Sequence, residues 1–573
     1  MSALDYLVLV ATMVGIAAYG MWKTRGRTTF QDYVKGESKV SWGTIGLAVM
    51  ATQASAITFL STPGQGFESG MGFVQNYFGL PFALIVVAAL FLPFYRRLKV
   101  LTAYEYLGRR FDGKTRLLGA CLFLLQRGLA SGITIYAPAI VLSTVFGWNL
   151  DLTILATGAL AIVYTVSGGN TAVSITQKYQ MIVIFAGMAT AFVIMLLRLP
   201  DGVSTVDALQ VAAGFDKLNA VNFSFDINER YTLWSGIFGG FFLSLSYFGT
   251  DQSQVGRYLS GTSLRESRLG LMFNAVFKIP MQAFILLLGV LLFVFYQFAP
   301  APVFFDRATW RQHVEAPGGD TLRVLESRYQ TLAEEKRAAL QGWLKSRHDG
   351  SSEEQIASAH DALRDAHARS EAVRKQAKDA LRALDPGVKT KDSDYVFITF
   401  ILEQLPVGIV GLLIAVIFAA ALSSVAAELS ALGSTTVVDL YRHVFRPTGG
   451  DGHGVLMSKV FTASWGLVAI GFALFARLAE NLIEAVNILG SLFYGVVLGL
   501  FLVAFLFRRV GGNAVFTGAL LSQATVLVCF FTLDRVGYLW YNLIGCALCV
   551  ITSLILQPLL GGRTPGAAPA TAS

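Results

Sequence analysis

The chain has 573 residues, 54% of them hydrophobic and only 14% charged, with a formal charge of +8. A soluble domain of that size carries about 25% charged residues, so most of this chain must face lipid or other buried helices. Its basic residues cluster in short loops between apolar runs and need no nucleic acid to explain them. The four cysteines (Cys121, Cys529, Cys546, Cys549) lie in apolar stretches and read as small packing residues, with no disulfide or metal framework.

Apolar runs of about 20 residues recur along the chain, each enough to cross a hydrocarbon core of about 30 Å as a helix. About thirteen helices are predicted. A leader at 4–22 is followed, not preceded, by Lys23, Arg25 and Arg27, which marks a retained span and not a cleavable signal. Ten core spans lie near 42–60, 72–95, 117–146, 152–167, 175–198, 231–255, 269–299, 405–436, 459–477 and 482–508, and two more near 513–533 and 537–558. Basic loops around 96–116, 257–268, 442–459 and 508–509 alternate with loops poor in Lys and Arg. By the positive-inside rule this places the N-terminus outside and the C-terminus in the cytoplasm of a multi-pass cell-membrane protein.

The first core span, "AVMATQASAITFLSTPGQGFESG" (48–70), is unusual. Thr52, Gln53, Ser55, Thr58, Ser61 and Thr62 crowd one turn after another, with Pro63, Gly64, Gly66 and Gly70 behind them. A helix broken inside a bilayer leaves backbone groups unpaired, which is tolerated only around a cavity or a bound ligand. Residues 300–393 differ again, with charge of both signs and helical periodicity on either side of Asp349-Gly350. An extracytoplasmic helical hairpin is predicted there, with Ser351 and Glu354 as its capping box. It has no Cys/His cluster and no nucleophile–base pattern, and no feature of the chain points to an enzyme.

Five ordered motifs carry a resemblance that covers residues 1 to about 510: "FLPFYRRLKVLTAYEYLGRRF" (91–111), "SGITIYAPAIVL" (131–142), "TDQSQVGRYLSG" (250–261), "AALSSVAAELSALGSTTVVDLY" (420–441) and "VNILGSLFYGVVLGLF" (486–501). Together they resemble the sodium/solute symporters, which include sugar, iodide, monocarboxylate and sialic acid transporters. The resemblance implies an all-α polytopic protein with a five-plus-five inverted-repeat (LeuT-like) core, its first and sixth core helices broken at mid-membrane. The chain then divides into a leader (1–41), a first repeat (42–198), the start of the second (199–299), the hairpin (300–393), the rest of the second repeat (394–508), trailing helices (509–558) and a cytoplasmic tail (559–573).

The resemblance also implies a Na⁺ site built from the carbonyls of Ala51, Ala54 and Ala420 and the hydroxyls of Ser423 and Ser424. By spacing alone Ala51, Ser55, Ala420 and Ser424 read equally as small packing positions. A second sodium site, found in some relatives, needs an Asp where this chain has Gln177 and hydroxyls where it has Ala426 and Ala427, so one Na⁺ per cycle is expected. Lys178 and Glu428, both in apolar surroundings, are expected to pair, unless each snorkels separately to the inner surface.

For the solute, Gln53, Ser55 and Thr58 follow the sodium carbonyls. The second span offers Phe73, Gln75, Asn76 and Tyr77, of which Phe73, Gln75 and Tyr77 are assigned to the pocket. Tyr247 and Phe248 stand where a galactose transporter has its inner gate, and Lys278 matches a lysine that touches sugar there; alternatively Lys278 partners a backbone break at Pro280. Arg127 lies mid-span, where an arginine wants a counter-charge or an anionic ligand, and its planar fork suits a carboxylate. Asp251 is expected to brace a helix end. A Na⁺-coupled importer of a monocarboxylate or sugar acid follows, with a neutral sugar or polyol importer and a non-pumping solute sensor as alternatives. The partners implied are the solute, Na⁺ and the lipid bilayer.

Overall fold

The structure, a computed structural model, describes residues 2–24, 41–98, 100–445, 450–475, 481–533 and 536–560, without the side chains of residues 13, 16–24, 167–176, 178, 179 and 451. It is an all-helical bundle. In chain order its principal helices are α1 (Ala3–Thr24), α2 (Trp42–Gln53), α3 (Ala56–Ser69), α4 (Gly113–Phe146), α5 (Leu150–Leu197), α6 (Gly240–Thr250), α7 (Gln252–Leu259) and α8 (Leu264–Phe298). Then come α9 (Asp320–His348), α10 (Glu353–Leu384), α11 (Ser393–Gln404), α12 (Ile409–Thr435), α13 (Asp451–Phe475), α14 (Leu482–Leu506), α15 (Gly512–Thr532) and α16 (Trp540–Leu560).

Among the described residues nine helical stretches are long and apolar enough to cross a bilayer. Of the four missing from the expected thirteen, two have structural reasons. The helices α2 (12 residues) and α6 (11 residues) are cut short by breaks. The other two, α1 and the first part of α5, adjoin side chains outside the described residues (13, 16–24 and 167–176) and are described in full only as backbone helices. The stretch Ala56–Leu98 also runs through the 3₁₀ turn Gly70–Tyr77 into the second span. One expectation is corrected outright. The spans expected at 152–167 and 175–198 form one unbroken 48-residue helix, about 72 Å long at 1.5 Å per residue.

Side chains set the ends of these helices. Asp112 caps α4 by accepting from the Thr115 amide at 2.9 Å, and Gly147 closes it in the left-handed region at φ 67°. Asn149, Ser263 and Asn481 cap α5, α8 and α14 in the same way. Pro280 lies inside α8 without breaking it, so Lys278 does not partner a backbone break there. Helix α12 is buried along nearly its whole length and packs against both α2 and α3, while Leu152, Val163, Leu467 and Phe475 of the outer helices are exposed, as lipid-facing residues should be.

The hairpin forms, with its capping box one residue later than expected, between Ser352 and Gln355. It is docked and not free-standing. Trp310, Leu322, Tyr329, Val373 and Leu381 build a core of its own, and Leu340, Trp343, Leu344 and Leu363 join the main core. Buried Asp392 anchors its return, accepting from Arg374 at 3.0 Å and Lys378 at 2.6 Å.

Candidate functional site

The first core span breaks after Gln53. Ala54 and Ser55 are non-helical, and α3 resumes at Ala56. Thr58 Oγ1 bends back to donate to the Gln53 carbonyl at 3.0 Å. The Ala51 and Ala54 carbonyls receive no hydrogen bond among the described residues. On α12, Ser423 Oγ donates to the Ala420 carbonyl at 2.9 Å, whereas Ser424 Oγ is fully buried with no partner among the described residues. A buried hydroxyl without a partner costs roughly 1–3 kcal/mol, so its presence needs a reason. Three carbonyls and two hydroxyls, all neutral oxygens, are the donor set a hard monovalent cation takes while remaining able to leave.

The sixth span breaks at Asp251, between α6 and α7, and there three successive carbonyls are occupied. Tyr258 donates to Phe248 at 2.9 Å, Tyr95 to Gly249 at 2.7 Å and Tyr104 to Thr250 at 2.9 Å. Asp251 caps α7, accepting from the Ser253 amide at 2.9 Å, which is the bracing role expected of it.

A cavity of about 130 Å³ lies beside both breaks. Of the residues expected to face solute, Gln53, Ser55, Thr58, Tyr77, Arg127, Tyr247, Phe248 and Lys278 line it. Phe73 and Gln75 do not. Phe73 packs edge-on against Tyr77 and Tyr231, and Gln75 braces the loop before the sixth span, donating to the Tyr231 carbonyl and accepting from the Asn222 amide. Face selection is not the reason, because residues three apart eclipse in the 3₁₀ turn Gly70–Tyr77 and Phe73 shares a face with Asn76. The lining begins only at Asn76, one turn further along, while Phe73 and Gln75 are taken up by Tyr231 and the loop before the sixth span. Asn76 lines it instead.

Arg127 is not a free cation. Its guanidinium bonds to Asp251 through two nitrogens, to Glu428 at 3.1 Å and to Tyr494 Oη at 2.6 Å, and it lies over the Tyr247 ring at 5.4 Å. The expected Lys178–Glu428 pair is therefore revised on one side: Glu428 is an ion partner of Arg127, while the Lys178 side chain lies outside the described residues. Lys278 is the contrasting case. It is buried, lines the cavity and rests 5.3 Å over the Tyr77 ring, with no carboxylate or hydrogen-bond partner among the described residues.

Sequence reasoning missed Thr134, Ser244, Asn487 and Tyr494 as lining residues. Tyr494 and Asn487 carried a usable signal, since each is a polar group inside the apolar run of α14 that has to find a partner.

The family model described as "Sodium:solute symporter family" matches residues 33–313 and 384–522. The unmatched stretch between them contains α9 and nearly all of α10. Human sodium-coupled monocarboxylate transporter 1 is 35% identical over 275 residues, covering 48% of this chain and 45% of that protein. The human sodium/iodide cotransporter is 30% identical over 299 residues, 51% and 46% of the two chains. The matched region thus spans about half the length of these relatives. The sodium/sialic acid symporter NanT of Aliivibrio fischeri is 24% identical over 97% of this chain and 93% of its own. Among solved structures, a substrate-bound, outward-open Na⁺-coupled sialic acid symporter superposes with a TM-score of 0.75 at 22% identity, covering 98% of this chain and 99% of that one, and shares its fold.

Proposed function

This chain belongs to the sodium:solute symporter family, and from that premise we propose that it imports a small carboxylate, a monocarboxylate or sugar acid, together with one Na⁺. The N-terminus lies outside and the C-terminus in the cytoplasm, which puts the hairpin outside. Na⁺ is held as co-substrate by Ala51, Ala54, Ala420, Ser423 and Ser424. The solute occupies the cavity between the two breaks.

The observation that carries the reading is the unequal state of the cavity's two buried cations. Arg127 already has two carboxylates, whereas Lys278 has none among the described residues. A lone buried ammonium is costly, and a solute carboxylate neutralises it. Arg127 then holds α4, α12 and the sixth-span break together and does not itself grip solute, while Lys278 receives the anionic group.

The energetics supply a direct test. One charge crossing 100 mV releases about 2.3 kcal/mol, and a tenfold Na⁺ gradient adds about 1.4 kcal/mol. With a monovalent anion the charges cancel and accumulation is driven to only about tenfold. Uptake of a radiolabelled monocarboxylate into proteoliposomes should need Na⁺, fail with K⁺ in its place, and carry no current. A Na⁺-coupled current would show a neutral solute. Solute binding unaffected by Na⁺, with no accumulation, would show a sensor. Lys278→Met should raise KM for the carboxylate at least tenfold.

A further inference from the structure

Directly beside the cavity, on the side that carries the hairpin, lies a second buried polar cluster with no part in holding ion or solute. Its centre is Glu484, in the first turn of α14 and 3% exposed. Its neighbours Ile483, Val486 and Asn487 line the cavity, so Glu484 sits immediately above it. The carboxylate accepts from Tyr231 Oη at 2.6 Å, Arg230 Nη1 at 3.1 Å and Gln65 Nε2 at 3.3 Å, with Lys391 Nζ at 4.0 Å. These groups come from four separate places: the outer half of the first core span, the loop before the sixth, the start of the tenth, and the segment returning from the hairpin.

The hairpin clasps the outer end of α3 along two further lines. Lys391 lies 3.6 Å from Glu68. Arg364 bonds Asp216 at 2.6 Å and the Gly214 carbonyl at 3.2 Å. One residue on from Asp216, Lys217 reaches the Glu68 carbonyl with its ammonium, and its own carbonyl accepts from the Met71 amide at 2.8 Å. The backbone of Ser393, at the start of α11, lies so close to Gly64 that no Cβ would fit there. The half-helix beyond the first break is therefore tied, through charged groups, to a segment that the family model does not match.

We propose that Glu484 is the latch of a gate over the hairpin-side mouth of the cavity, and that the 300–393 segment is the strap that sets how readily this gate opens, with Lys391 as its electrostatic end. In the latch the buried bonds from Tyr231 and Gln65 resist salt, whereas the Glu484 pair with half-exposed Arg230 does not. The strap is a partly exposed ion pair, and added salt weakens it. Cavity access therefore depends on ionic strength on the hairpin side, and the part of that dependence not carried by the Arg230 pair passes through Lys391.

The test uses the full chain with Cys121, Cys529, Cys546 and Cys549 replaced by Ser and a reporter thiol at Ile483→Cys. A membrane-impermeant thiol reagent is applied without solute and at fixed Na⁺. Gly342→Cys, where nothing lies within 4 Å of an added Cβ, first reports which face bears the hairpin, and the reagent is applied to that face. A wrong orientation above is thereby separated from a wrong latch. Glu484→Gln should speed labelling of the reporter at least fivefold, and Lys391→Ala about twofold. In an Arg230→Gln background, which removes the latch's own half-exposed ion pair, raising choline chloride from 20 to 500 mM should speed labelling about twofold, and adding Lys391→Ala should abolish that response. Should Glu484→Gln fail to fold, Tyr231→Phe removes its shortest bond with the charge kept, and should speed labelling two- to threefold. Unchanged labelling in the carboxylate or tyrosine variant overturns the latch. A salt response that survives Lys391→Ala in the Arg230→Gln background overturns the strap.

Discussion

The two helix breaks pose the same physical problem and solve it in opposite ways. Each interrupts a helix inside the bundle and strips several carbonyls of their amide partners. At the sixth-span break three tyrosine hydroxyls from three different segments fill the vacated positions, and Asp251 caps the next helix. At the first-span break a side chain fills just the Gln53 carbonyl, through Thr58, while among the described residues the Ala51 and Ala54 carbonyls receive no bond and Ser424 of the adjoining α12 has no partner. A break closed by tyrosines is a fixed joint. A break left open has neutral oxygens to offer, and the proposed Na⁺ is the partner that would complete it.

The comparison is broken most severely at Arg127, which secures the closed side. Arg127→Met leaves Asp251 and Glu428 buried and uncompensated, and removing one partner of a buried pair costs about 3–5 kcal/mol. Thermal unfolding in detergent should shift down accordingly. Arg127→Lys should not restore it, because a point charge cannot bond both carboxylates and Tyr494 at once. A variant with parental stability would mean the charge network does not hold the sixth-span break.

A smaller loss tests the tyrosines. Tyr104→Phe vacates the Thr250 carbonyl at the cost of one buried hydrogen bond, about 1–3 kcal/mol. Na⁺ affinity should stay unchanged, since the joint is structural. Tightened Na⁺ binding, or a second Na⁺ per cycle, would show that an opened sixth-span break also takes a cation, and the contrast between the two would fail.

On the open side, Ser424→Ala removes a hydroxyl that bonds nothing among the described residues, so stability without Na⁺ should hold or rise slightly while Na⁺ affinity falls about tenfold, or about 1.4 kcal/mol. Titration of Na⁺-dependent thermal stabilisation reads both effects together. Unaltered Na⁺ affinity would place the ion elsewhere.

Much of this contrast is legible in the sequence alone. The crowding of hydroxyls and glycines in 48–70 marks the open break, because such residues have no use in a plain lipid-spanning helix. The closed break is harder to read. Tyr95, Tyr104 and Tyr258 stand in separate motifs, and nothing local announces that their hydroxyls converge on one turn. Arg127 is legible as a mid-span cation in need of a partner, but its partners lie 124 and 301 residues away and could as well have been a ligand. Phe73 and Gln75 are misplaced by sequence because their partners, Tyr231 and the Asn222 amide, lie about 150 residues away, and nothing local shows at which turn the second span meets the cavity.

The smallest expected effect addresses the comparison without any mutation. If Na⁺ completes the first break and not the sixth, withdrawing it should loosen one and spare the other. At a Na⁺ concentration ten times Kd, bound ion stabilises the native state by about 1.4 kcal/mol through mass action. Part of that stabilisation is local, because the Ala51 and Ala54 carbonyls lose their only counter-charge when the ion leaves. Hydrogen exchange of amides 52–57 should then speed up severalfold when Na⁺ is replaced by K⁺. Amides 249–254, whose neighbouring carbonyls are held by Tyr95, Tyr104 and Tyr258, should exchange at the same rate in both salts. Equal responses at the two breaks would mean that the ion acts on the bundle as a whole and that the open carbonyls are not its ligands. A response at 249–254 alone would reverse the roles assigned to the two.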